Sequence, residues 1–133
     1  MLGAGPGNGR GVYVCGMSLD PTVSNAGKYT TIFENEHIRV LDYRDVPGDE
    51  TTPHEHPNSV MYTLSSFRRR LFSGGSEREV ELAAGVALWL SAQEHHAKNI
   101  GDTDTHVIFI ELKDGSLGER TSGALGPGEP ASN

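Results

Sequence analysis

The segment Thr52-Pro53-His54-Glu55-His56-Pro57 restricts the fold of this chain more than any other. Proline fixes its own φ and pushes the residue before it toward extended backbone. Pro53 and Pro57 therefore bias Thr52 and His56 to β geometry and argue against a helix through the segment. In an extended strand, alternate side chains share a face, so His54 and His56 point the same way. Their Cα atoms then stand roughly 6.5–7 Å apart, two strand steps. Two imidazoles at that spacing reach adjacent positions on one metal ion. A third from a distant strand completes a face of three nitrogens. His95-His96, much later in the chain, offers that third ligand.

The middle of the chain has the rhythm of short strands. Candidates at 29–34, 37–44, 59–64, 67–72, 79–82, 86–90, 95–100 and 105–112 are separated by turn sequences. These include Val46-Pro47-Gly48-Asp49, Ser73-Gly74-Gly75-Ser76, Gly85 and Gly101-Asp102. Strands at roughly 8–12-residue spacing predict a β-sandwich or barrel. No segment sustains the i, i+3, i+4, i+7 apolar pattern of a helix, and no repeat of solenoid length is present. The fold class is all-β.

A length of 133 residues fits one domain. Residues 1–27 are expected to form a flexible Gly-rich extension with room for an edge strand. Residues 28–113 form the folded domain, and residues 114–133, rich in Gly, Ser, Pro and Glu, form a disordered tail. Met17 opens a more ordinary N-terminus, so residues 1–16 read as an upstream extension. The net charge of −7 argues against nucleic-acid and membrane-surface partners, both negatively charged. Arg68-Arg69-Arg70 splits its charges between two strand faces and reads as a solvated strand. The single cysteine, Cys15, rules out an internal disulfide. No secretory signal and no apolar run near the ~18 residues of a membrane span is present, so a cytoplasmic location is expected. The Gly-rich start is not a phosphate loop: Asn8 stands where glycine is required, and no strand precedes it.

The pattern Gly48-x5-His54-x-His56, then Gly85-x5-Ser91, a histidine and Asn99, resembles the cupin superfamily over about residues 30–113. The resemblance implies a cupin double-stranded β-helix, a jelly-roll barrel. The departures bear on chemistry. The glutamate that closes the cupin ligand set would fall at Val60 or Met61. If the strand runs on regularly from His56 through Asn58, Val60 shares the histidine face. Ser91 and Gln93 replace a proline and a glycine, and Phe67 another glycine. Counting forward from Gly85 makes His96 the third ligand; counting back from Asn99 makes it His95. An inward His96 would bring Lys98 inside, which is costly, and so favours His95.

A set of His54, His56 and His95 or His96 leaves the +2 charge of an ion uncompensated. Such ligands suit a divalent Fe, Ni, Cu or Zn, with positions open for water, oxygen or a chelating substrate. A missing carboxylate favours an anionic, bidentate substrate. Among cupins, thiol dioxygenases and the diketone-cleaving dioxygenase resemble this pattern of three histidines without glutamate. The resemblance implies dioxygenase-type oxidation of a small polar metabolite. The alternatives are a non-enzymatic ligand-binding or sensing cupin, and a metal-dependent isomerase or lyase. Tyr62 shares the histidine face by parity and is a candidate catalytic hydroxyl. Gln93 is a candidate to orient a ligand or a metal-bound water. His37 and His106 read as structural or surface residues, and Trp89 as core. The resemblance also implies a homodimer paired through sheet edges.

Overall fold

The computed structural model describes residues 18–113 and 125–126. Among these, the short apolar runs form nine strands and one helical turn. The elements are α1 (Pro21–Ser24), β1 (Tyr29–Glu34), β2 (Ile38–Asp45), β3 (His54–His56), β4 (Ser59–Thr63) and β5 (Phe67–Ser73). They continue with β6 (Ser76–Leu82), β7 (Ala87–Leu90), β8 (Gln93–Asn99) and β9 (Thr105–Leu112). The predicted strands recur within three residues at each end. All strand pairs are antiparallel. One sheet has the order β1-β2-β9-β4-β7 and the other β3-β8-β5-β6. This is the double-stranded β-helix implied by the sequence motifs. No helix among the described residues is long and apolar enough to cross a membrane.

Alternation builds the interior. Along β9, Thr105, Val107, Phe109 and Glu111 are buried while the residues between them are partly exposed. Leu41, Tyr43, Met61, Leu88, Leu90, Val107 and Phe109 of the five-stranded sheet form one core with Tyr29 and Phe67. Burying a Leu or Phe side chain contributes about 1.5–3 kcal/mol. The larger share of cohesion therefore sits between the sheets. Leu71, Ala97 and Leu125 form a smaller cluster against Val80.

Four expectations are corrected here. Residues 18–27 were assigned to the flexible extension, yet they are packed. The Asp20 carboxylate accepts the Thr22 N–H at 2.9 Å and caps α1, with Pro21 in the first turn. Asn25, 8% exposed, accepts the Thr52 N–H at 2.9 Å. Polar caps hold this turn, and a count of apolar residues misses them. In the predicted tail, Leu125 and Gly126 are buried against the second cluster. Gly126 has φ +75°, and a Cβ there would lie 2.5 Å from Leu71 Cδ1, so the position requires glycine. Trp89, expected in the core, is 43% exposed, because Leu88 and Leu90 take the inward positions of β7. Arg69, read as part of a solvated strand, is 7% exposed, because it shares strand parity with the inward Phe67 and Leu71. Cys15 and Met17 lie outside the described residues.

Candidate metal centre

The short strand β3 carries His54 and His56, both buried, with Glu55 on the opposite face. It pairs with β8 so that His54 faces His95 and His56 faces Gln93. All three imidazoles thus project into the barrel. One ligand nitrogen from each lies within 4.8 Å of the other two. The rings stand mutually edge-on or tilted, with centroids 4.9 to 5.1 Å apart. His96 has the opposite parity. It points away and stacks on Phe72, centroids 4.9 Å apart. The ambiguity between the two neighbours therefore resolves toward His95, and Lys98 stays exposed as the parity argument required.

Two of the three rings are held from behind at Nδ1 by a hydrogen bond. The His54 Nδ1–H donates to the Thr52 carbonyl at 2.7 Å. A carbonyl can only accept, so the proton sits on Nδ1 and the Nε2 lone pair faces the interior. The His95 Nδ1–H donates to Gln93 Oε1 at 2.6 Å. The backbone sets that amide's orientation: Oε1 also accepts the Gly126 N–H, and Nε2 donates to the carbonyls of Ser91 and Gly126. Behind His56, Glu111 Oε2 stands 3.5 Å from Nδ1. These two atoms are buried, and neither makes a hydrogen bond. Carbonyl, amide and carboxylate acceptors behind metal-binding histidines fix the tautomer and raise the basicity of the free nitrogen. Burial pushes the His54 imidazole below its usual pKa, and those of His56 and His95 well below it. Burial thus favours the neutral imidazole at all three, the form that binds metal. A cluster of three buried imidazoles, two of them pre-oriented through Nδ1, fits a divalent transition metal.

Two polar residues absent from the sequence-based list complete the surroundings. Tyr29, 5% exposed, directs its hydroxyl at His54 Nε2 (3.3 Å) and His56 Nε2 (3.4 Å). Burial, then the neighbouring Tyr43, raises the Tyr29 pKa well above that of a free phenol. Glu111 pairs with Arg39 at 2.9 Å, and Arg39 in turn reaches Asp20. Burial raises the Glu111 carboxyl above its usual range despite Arg39. The strand itself signals Glu111: it shares parity with Val107 and Phe109. Nothing comparable in the sequence marks Tyr29, because the facing of one sheet on the other is not a local property.

A cavity of about 50 Å3 adjoins the cluster. Tyr29, His54 and His95 line it, with apolar walls from Met61, Leu90 and Phe109, and Arg69 as a cation. Arg69 is held by Asp45 at 2.6 Å, Thr105 at 3.1 Å and the Tyr43 hydroxyl at 3.1 Å. Tyr43 also donates to Asp45. Neither residue of the predicted catalytic pair is aimed into the cavity. Tyr62 is 41% exposed on the outer face. The strand is interrupted at Pro57-Asn58, so the inward residues of β4 are Ser59, Met61 and Thr63. Met61, not Val60, thus faces the barrel interior. Gln93 belongs to the site as a positioning residue behind His95, not as a group aimed into the cavity.

No family model and no curated protein matches this chain. Solved structures do. A cupin domain from Bordetella pertussis Tohama I is 26% identical, with a TM-score of 0.58 over 65% of this chain and 92% of that one. A double-stranded β-helix protein from Klebsiella pneumoniae is 20% identical, with a TM-score of 0.53 over 67% and 75%. A polyketide cyclase from Streptomyces resistomycificus shares the fold at 14% identity and a TM-score of 0.50, over 65% and 64%. Strand order, the buried histidine cluster and these likenesses together place the chain in the cupin superfamily.

Proposed function

We propose that this cupin holds one divalent transition metal on His54, His56 and His95 and oxidises a small polar metabolite in a dioxygenase-type reaction. The observation that carries the reading is the convergence of three buried imidazoles, two of them held by a hydrogen-bond acceptor at Nδ1. A bound ion would supply Lewis acidity and a place for substrate and oxygen to meet. The protein's own part is to exclude water, orient the imidazoles and surround the substrate with apolar walls. Arg69 gives the cavity a cationic side, which suits an anionic substrate.

The cavity's small size, about 50 Å3, favours a second reading in which the ion or a small ligand is held without turnover. An isomerase or lyase is the weaker alternative. It needs a base, and Tyr62 and His96 both face away from the cluster. Metal analysis of untagged protein tests the proposal first: about one equivalent of metal is expected, and His54→Ala should lose it. Failure to take up Fe, Ni, Cu or Zn would overturn the metal reading. Oxygen uptake with 1,3-diketones, thiols and hydroxy acids then separates turnover from binding alone.

Pairing with a second copy forms part of this proposal. A cross-strand row runs over the outer face of the five-stranded sheet: Trp89, Val60, Ile110, Val40 and Phe33, one residue from each strand. All five are partly or fully exposed. A continuous apolar row of this kind supports a face-to-face, self-complementary contact between two copies. The sheet face thus replaces the sheet edge as the favoured surface.

A further inference from the structure

The Tyr29 hydroxyl lies within hydrogen-bond reach of Nε2 on both His54 and His56. The Thr52 carbonyl holds the His54 proton on Nδ1, so His54 Nε2 offers a lone pair. The Gln93 amide oxygen does the same for His95, whose imidazole joins the same cluster. Buried lone pairs of nitrogen and oxygen therefore meet in one small volume, and a cation there would satisfy them together.

The spacing agrees. Around one ion with bonds of about 2.1 Å, neighbouring donor atoms stand about 3.0–3.4 Å apart. The Tyr29 oxygen already holds that separation from two of the three histidine nitrogens. Charge points the same way. Three neutral imidazoles leave a divalent ion's charge uncompensated in a buried site that also faces Arg69. Met61, on the inward face of β4, provides no carboxylate. The other nearby acid, Glu111, is turned to Nδ1 of His56 and to Arg39, behind the ring and away from the cluster.

We propose that Tyr29 is a fourth metal ligand, a phenolate from β1 that takes over the charge of the absent glutamate. The inference rests on the metal-binding reading above. On binding, the Tyr29 O–H bond breaks, an oxygen–metal bond forms, and the proton leaves to water, with no change of oxidation state. The centre then has three nitrogens and one oxygen from four strand positions, and one formal positive charge with a divalent ion.

The test uses the full chain, stripped of metal and reloaded with one equivalent of Fe(III) or Cu(II). Wild-type protein should show a phenolate-to-metal charge-transfer band in the visible. Resonance Raman excited in that band should show tyrosinate ring modes that shift when tyrosine is ring-deuterated. Tyr29→Phe preserves the ring packed 4.5 Å from Tyr43. It should keep one equivalent of ion, lose the band, and bind about tenfold more weakly or worse. A wild-type protein that holds its ion without the band overturns Tyr29 as a ligand and leaves the three-histidine centre standing. So does a band that survives Tyr29→Phe. If wild type takes up no ion, both readings fall. If Tyr29→Phe does not fold, the wild-type spectrum and its isotope shift still decide.

Discussion

At the scale of single residues, the proposed metal centre depends on the supports behind its imidazoles. Gln93 accepts from His95 and is itself gripped by the backbone at Ser91 and Gly126. Gln93→Leu removes that acceptor and should weaken metal binding about 10- to 100-fold, read by chelator competition, while far-ultraviolet dichroism stays unchanged. The inward face of β4 gives a paired prediction. Met61→Glu should tighten metal binding and lower the melting temperature of the metal-free protein, because an unpaired buried carboxylate is costly. Val60→Glu, on the outer face, should leave metal affinity unchanged. Equal effects of the two would contradict the observed register. Sequence parity pointed to Val60 because it ran straight through Pro57-Asn58, where the strand is interrupted. The contribution of His95 was legible because Lys98 could not follow His96 inward.

Among elements, α1 shows how a brief turn is secured against the barrel. Asp20 caps the turn and forms an ion pair with Arg39, and Arg39 holds Glu111 behind His56. Burial works to raise the Asp20 pKa, but hydrogen bonds from Arg39 and Thr22 prevail and hold it below the ordinary value of 3.8. A carboxyl depressed on folding adds stability above its unfolded pKa and loses it as pH falls through its folded one. Asp20→Asn keeps a competent cap but loses the charge. Its melting temperature should fall below wild type at pH 7, and the gap should close as pH drops below about 4. A gap independent of pH would mean that the Arg39 pair adds nothing. Strand positions were readable from β-rich runs and turn glycines. The packing of residues 18–27 was not, since its contacts are long-range polar ones such as Asn25 with Thr52.

For the whole molecule, the two-sheet architecture and the convergence of β3 with β8 were legible from motif spacing. Which residues faced outward was less so. Trp89 was expected inside because it is large and aromatic, yet it ends an apolar row across all five strands of one sheet. Light scattering should give the mass of a dimer in solution, and Trp89→Glu should shift it to monomer without loss of secondary structure. A monomeric wild type would end the pairing proposal.

The grip of Gly126 on Gln93 has a consequence in time. Gly126 is added 31 residues after His95, so the brace behind that imidazole is among the last described parts of the chain to be made. Maturation of the site is therefore tied to the late part of synthesis.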